Sequence, residues 1–258
     1  MMRLFDTHCH FDFEPFSDDF ASQLQQAHQH GVTRLLIPAI GPSNWQKVID
    51  LSSQYPSIYY ALGFHPYFLD GDSIQYLQSL ETLLSGSDPN CVAVGECGLD
   101  AMIDVEMGLQ EMLFIRQIEL ASQSKKPLIL HARKTHNRLI QLLKQYRFQY
   151  SGILHGFSGS YQQAQQFIEL GFYIGVGGVI TYPRANKTRQ AIAQLPIERL
   201  VLETDAPDMP LSGHQGEDNH PKMLAAVLDC LAELRPESKS EIGQAVWNNS
   251  SRALGLCE

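Results

Sequence analysis

The sequence predicts an α/β chain closed into a TIM (β/α)8 barrel, and three observations lead there. Eight short apolar runs alternate with longer amphipathic stretches. Strands alternating with helices imply a parallel sheet, and eight such repeats fill about 250 residues when the sheet closes on itself. The chain has 258. Residues able to bind metal stand at the ends of several runs, where a barrel would gather them on one face. A doubly wound open sheet shares the alternation and is the competing fold.

The runs are RLF (3–5), TRLLIPAI (33–40), IYYALG (58–63), CVAVG (91–95), PLILH (127–131), GILH (152–155), FYIGVGG (172–178) and LVLET (200–204). Helical patterns lie between them, among them 17–31, 43–55 and 106–126, with Gly31 placed as a helix stop. Two more, 221–234 and 238–254, follow the eighth run. No linker-like shift in composition and no low-complexity tract appears, so residues 1–258 read as one domain.

Composition bounds the function. At 44% apolar and 18% charged residues the chain can bury a substantial core, which argues against disorder. A formal net charge of −9 argues against a broad basic surface that would coat duplex DNA, but not against local action on nucleic acid. Five scattered cysteines without a CxxC pair suggest reduced thiols and a cytoplasmic location. No signal peptide and no membrane span are expected, since no window approaches ~18 consecutive apolar residues.

Two His-x-His triplets occur, and local geometry separates them. Residues i and i+2 of a strand share a face. His8 and His10 follow the first run and can converge on one ion, with Cys9 turned away into packing. His28 and His30 sit in a helical stretch, where i and i+2 lie ~200° apart, and are expected to be ordinary surface residues.

The remaining candidates end other runs. Glu96 follows the fourth, His131 ends the fifth, His155 the sixth and Asp205 the eighth. Glu96 and Asp205 lie about three βα units past His10 and two past His155, the spacing a ring of ligands requires. Each residue alone has a plainer reading: Glu96 as a helix cap or ion-pair partner, the histidines as satisfied rim residues, Asp205 as a turn residue. Together they favour metal, because polar groups at buried strand ends are costly without partners.

With these pieces placed, the chain resembles the TatD-type metal-dependent hydrolases of the amidohydrolase superfamily. The matching stretches are DTHCHFD (6–12), ALGFHP (61–66), AVGECGLD (93–100), LILHAR (128–133), GILHGFSGS (152–160) and LETDAPD (202–208). The stretches 174–184 and 203–221 look most like the YjjV-type subgroup, for which deoxyribonuclease activity is the expectation. The resemblance implies a barrel of metal-dependent hydrolase type with two adjacent divalent ions. By motif, His8 and His10 hold the first with Asp205 beside it, Glu96 bridges both, and His131 and His155 hold the second. Cys97 replaces a more usual aliphatic residue at the periphery, which puts no ligand in doubt.

Imidazole and carboxylate donors suit Zn²⁺, Mn²⁺ or Co²⁺ and tolerate Mg²⁺ less well; the identity stays open among Zn, Mn and Mg. Such ions activate a water, which Asp205 would orient or deprotonate beside Glu96, and no covalent enzyme intermediate is expected. His65, Arg133, Tyr182 and Arg184 are candidate phosphate contacts at the ends of runs three, five and seven. His136 is expected to start a helix, the loop with His214 and His220 to form a rim, and GFSGS either to hold an anion or to launch the next helix.

Three functions remain open: a phosphodiesterase acting on single-stranded or frayed nucleic-acid ends, exonuclease-like; an amidohydrolase-type enzyme cleaving a C–N or ester bond of a small molecule; and a module that binds metal or nucleic-acid ends without turnover. Two carboxylates beside the histidines argue against the third. No stable protein partner is expected, and the chain is expected to be a monomer.

Overall fold

The computed structural model describes residues 2–256. Eight parallel strands form one sheet in sequential order: β1 (Leu4–Asp6), β2 (Val32–Pro38), β3 (Ile58–Leu62), β4 (Cys91–Asp100), β5 (Leu128–Arg133), β6 (Gly152–Leu154), β7 (Phe172–Val176) and β8 (Leu200–Leu202). A doubly wound sheet would scramble that order. Closure is visible at the seam, where Thr7 donates both its N–H (3.0 Å) and its Oγ1 hydroxyl (2.9 Å) to the Leu202 carbonyl. The fold is the TIM barrel that the repeat pattern predicts. Among the described residues no helix is long and apolar enough to cross a membrane.

Nine helices connect and cover the described strands: α1 (Phe20–Gln29), α2 (Trp45–Gln54), α3 (Leu77–Leu84), α4 (Met107–Ser124), α5 (His136–Gln145), α6 (Tyr161–Glu169), α7 (Asn186–Gln194), α8 (Leu224–Leu234) and α9 (Lys239–Ala253). The predicted stop at Gly31 is a left-handed residue (φ 87°) just past α1. α9 starts on a capping box, with Ser238 bonded to the Glu241 N–H and the Glu241 carboxylate bonded back to Ser238.

The barrel interior is built in layers. Phe5, Leu36, Ala61, Ala93, Ile129, Ile153, Tyr173 and Val201, one from each strand, form a single buried cluster. Trp247, Ala253 and Leu254 of the C-terminal segment join it and plug the N-terminal end. Two residues further along each strand the pleat returns to the interior. There the residues are His131 on β5, His155 just past β6 and Glu203 just past β8, opposite Gly63, Gly95 and Gly175. The glycines make room: a Cβ on Gly175 would overlap the Glu203 carboxylate. The apolar floor therefore becomes a polar chamber within one residue pair.

Asp6 locks the chamber's seam. It is fully buried, and it accepts the N–H groups of His8 (3.3 Å) and Thr204 (3.0 Å) and the Thr204 hydroxyl (2.6 Å). Burial pushes its carboxyl up to about 7 against the pull of those bonds. Asp6→Ala strands three buried donors and is expected to cost about 2–4 kcal/mol. A thermal melt should show a Tm lower by roughly 5–15 °C; an unchanged Tm would mean that the seam does not depend on this carboxylate.

Candidate metal centre

At the C-terminal mouth of the barrel five of the six predicted residues meet around the carboxylate of the sixth. Glu96 is fully buried. Its Oε2 lies 3.1 Å from His8 Nε2 and 3.4 Å from His10 Nε2. Its Oε1 lies 2.7 Å from His155 Nε2 and 3.2 Å from His131 Nδ1. Asp205 Oδ1 closes the first group, 3.4 Å from His8 Nε2 and 4.0 Å from His10 Nε2. The two oxygens of one carboxylate thus face two separate sets of imidazoles.

Local backbone irregularity sets this geometry. Val94 pairs with Leu128 and Cys97 with Leu130, so β4 spends three residues where β5 spends two. This β-bulge reverses the alternation: Ala93 faces the interior, and Glu96, which would otherwise face out, turns in. Gly98 keeps β4 tight against β5. It adopts φ 144°, and a Cβ there would overlap the His131 carbonyl oxygen. His8 and His10 lie beyond β1, which ends at Asp6, so the strand argument selects the right pair through a backbone that is no longer strand. Their rings stand 5.2 Å apart and nearly perpendicular. Asp205 sits in the left-handed region (φ 57°), held by its N–H to the His8 carbonyl (2.9 Å) and by the His10 N–H to the Ala206 carbonyl (2.7 Å). A strained residue pinned on both sides is typical of a functional position.

The donor set fits divalent cations. His8 Nδ1 and Nε2, His10 Nδ1, Glu96 Oε2 and His155 Nδ1 are buried without a hydrogen-bond partner, although several lie close to one another. Stranding so many polar atoms is costly, and cations among them would relieve the cost. His8, His10 and Glu96 offer donor atoms within 4.8 Å of one another, as do His8, His155 and Asp205. Burial alone would raise the Glu96 carboxyl, but the surrounding imidazoles, His155 foremost, hold it well below the usual carboxylate range. Burial and the neighbouring His155 depress His8. His155 goes the other way: burial disfavours its charge, but the Glu96 carboxylate pushes it up to about 10.

That last shift has a measurable consequence. Glu96 thus keeps a proton on His155 through the neutral range in the metal-free protein, and a metal must displace it. Metal affinity is therefore expected to rise at least about tenfold per pH unit between pH 6 and 8, the slope of one displaced proton, and more steeply where His10 and His131, also raised, give up theirs. Titration calorimetry in buffers of differing ionisation enthalpy reads the proton count directly; no proton release would refute the assignment of His155 as a ligand.

His65 also reaches the centre, with Nε2 3.2 Å from Glu96 Oε1 and 3.3 Å from His131 Nδ1. Distance alone groups it with Glu96 and His131 as a possible ligand. Its tautomer argues otherwise. The Tyr67 backbone N–H donates to His65 Nδ1 (3.1 Å), so a neutral ring carries its proton on Nε2 and presents a donor. That suits contact with an anionic oxygen. His131 shows the opposite arrangement: Nε2 faces Asp100 Oδ2 at 3.1 Å, which leaves the Nδ1 lone pair for the centre.

The other predicted contacts divide. Arg133 is exposed and lines both the centre's mouth and an adjoining cleft. Arg184 lines that cleft, its guanidinium 5.2 Å from the Tyr182 ring centroid. Tyr182 is not among the residues lining the centre or the cleft. Its hydroxyl donates to the Pro210 carbonyl (2.7 Å), so it braces a loop, and the phosphate contact expected of it is not what this hydroxyl does. His28 on α1 and His30 at its C-cap are exposed as expected, and His136 starts α5. The GFSGS turn launches α6 through a capping box at Ser160, while the Gly156 N–H goes to Glu203 Oε1. His220 packs against Phe11 and Phe16 and faces Gln23, away from the centre. Cys9 is buried in the core, as predicted.

Asp100, Glu203 and two buried glutamines carry weight that the sequence reading missed. Gln117 of α4 accepts the Phe64 N–H (2.7 Å), next to His65; Gln110 accepts the Asp100 N–H (2.8 Å) and donates to the Asp100 carbonyl (3.1 Å). One helix thereby fixes two loops of the centre. The available signals were polar residues seven apart on an apolar helix face, and Asp100 at period two from Glu96.

Comparison with known proteins agrees with this geometry. Residues 5–255 match the family described as TatD related DNase. A protein of Escherichia coli (strain K12) described as the uncharacterized metal-dependent hydrolase YjjV is 48% identical over 249 residues, covering 96% of each chain. An uncharacterized metal-dependent hydrolase of Haemophilus influenzae is 40% identical over 257 residues, covering 96% of this chain and 98% of its own. The crystal structure of YjjV, a TatD homolog from Escherichia coli K12, superposes with a TM-score of 0.96 at 46% identity over 99% of both chains.

Proposed function

From the premise that this chain belongs to the TatD related DNase family and is a metal-dependent hydrolase, we propose that it is a phosphodiesterase that trims single-stranded nucleic-acid ends. One observation carries the reading. The mouth that holds Glu96, His10 and Asp205 opens beside a cleft of about 930 Å³ lined by Arg133, Lys134, Arg184 and Lys187, on a chain whose net charge is −9. Cations gathered beside a metal centre on an otherwise acidic surface suit an anionic substrate better than a neutral amide.

His8 and His10 would hold an ion on one side of Glu96, and His131 and His155 one on the other. Divalent ions bound there would supply Lewis-acid polarisation of a phosphoryl oxygen and a water acidic enough to react near neutral pH. The chain's own residues do the rest. Asp205, whose side chain is 18% exposed, is the carboxylate of the pair open enough to meet a water. Burial raises its carboxyl, with His155 and His10 opposing, which makes it a better base than an ordinary aspartate. It takes the proton as the water oxygen bonds to phosphorus and the P–O bond to the leaving oxygen breaks, and it then hands that proton to the departing oxygen, so no second acid is needed. The His65 Nε2–H and the Arg133 guanidinium hold the anionic oxygens. Cys9 and Cys97 are fully buried with thiols pushed up by burial, so neither offers a nucleophile.

The test is release of mononucleotides from end-labelled single-stranded DNA with Mg²⁺, Mn²⁺ or Zn²⁺. Metal-dependent release supports the reading. Absence of release with every metal, alongside hydrolysis of small esters or amides, would move the activity to a small-molecule substrate. Tight binding of ends without turnover would make the chain a binding module.

A further inference from the structure

The metal centre stands between two unlike surfaces. On the β3 side, a short turn at Pro66–Phe68 carries Tyr67 and Phe68, 60% and 47% exposed. Both line the centre's mouth with Phe13, which stacks on His10 at 5.2 Å. Only three large aromatic side chains among the described residues are exposed, and two of them are here. They are not loosely hung. The Tyr67 N–H is bonded to His65 Nδ1 and the Phe68 N–H to the His65 carbonyl, and the two rings meet edge to face at 5.1 Å.

On the β5 to β7 side lies the cleft with the four cations. Four cations elsewhere on the chain pair with acids: Arg116 with Glu119, Arg138 with Glu111, Arg235 with Glu237 and Lys239 with Asp229. Arg133, Lys134, Arg184 and Lys187 form no ion pair among the described residues, and the acids lining the same cleft are Asp205 and Asp208. α5 and α7 begin at this cleft without a side-chain cap, whereas neighbouring α6 is capped by Ser160. Their open first-turn N–H groups add to the positive field of the side chains.

We propose that these surfaces are two arms of one strand-binding cleft. Tyr67 and Phe68 stack the base of the terminal nucleotide, and Lys134, Arg184 and Lys187 hold the phosphates on the other side of the bond that is cut. The inference rests on the phosphodiesterase reading and deepens it. An aromatic face accepts any base, but only an unstacked one, and a short row of cations follows a flexible backbone. The cleft thus selects single-stranded ends, takes bases of any identity, and needs phosphates on the inner side of the scissile bond.

Steady-state cleavage of labelled single-stranded DNA tests it, using the Mn²⁺-loaded chain over a range of salt concentrations. Tyr67→Ala combined with Phe68→Ala is expected to raise KM at least about fivefold with a much smaller change in kcat. That penalty should vanish when the terminal nucleotide is abasic, a result that mere loosening of the loop would not produce. Lys134→Asn combined with Lys187→Ala (asparagine tolerates the left-handed backbone of Lys134, φ 58°) should raise KM and flatten the plot of log kcat/KM against log salt by about 1.4, two phosphates' worth for a single strand. The remote exposed pair Lys47→Ala and Lys144→Ala should leave that slope unchanged. An active wild type with variants of unaltered KM and slope would overturn the two-armed cleft and leave the phosphodiesterase reading standing. A wild type that releases no nucleotide with any metal would overturn both.

Discussion

Glu96→Gln is expected to reduce hydrolysis by at least about a thousandfold and to lower the tightly bound metal to one ion per chain or none. The side chain keeps its size, so the fold is not the cause. The change replaces one oxygen by an NH2 group and removes the charge. In the parent, Oε2 serves His8 and His10 while Oε1 serves His131 and His155, so neither oxygen is spare. Whichever oxygen becomes nitrogen, its hydrogens point at imidazole lone pairs that a cation needs. The charge matters as much. Removing it leaves the buried His155 without the anion that now balances its proton. Metal analysis after exhaustive dialysis, beside initial rates, checks both halves. Two ions retained with near-normal rates would show that Glu96 does not bridge.

Asp205→Asn should separate chemistry from assembly. Asparagine accepts the left-handed backbone that Asp205 adopts, so the seam bonds to His8 and from His10 to Ala206 survive. The amide oxygen can still face His8. What disappears is a base able to take a proton. A fall in kcat of about 10²–10⁴, with KM and most of the metal retained, is the expected result. Loss of metal in parallel with activity would instead make Asp205 chiefly a ligand.

The predicted residues converged because each sits at the end of a run whose period is short and regular. Where the backbone stays regular, as at His131 inside β5 and at His155 one residue past β6, strand position alone led to the interior. Where it does not, the right residue was reached by a less direct argument. His8 and His10 lie past the last residue of β1, and Glu96 faces the centre only because a bulge shifts its register. Tyr182 shows the limit from the other side: its place after β7 suggested phosphate, but a carbonyl 28 residues away had claimed its hydroxyl.

The sequence by itself determined the repeat, hence the barrel, and the chemical types that end its strands, hence a metal centre at one mouth. These follow from periodicity and side-chain chemistry, which are properties of short segments. Only the tertiary structure decided that Glu96 turns inward, that His65 presents a proton while His131 presents a lone pair, and that Gln110 and Gln117 hold the loops around them. Each depends on a hydrogen bond or register shift supplied by a partner distant in the chain, and no local pattern encodes which partner will be there.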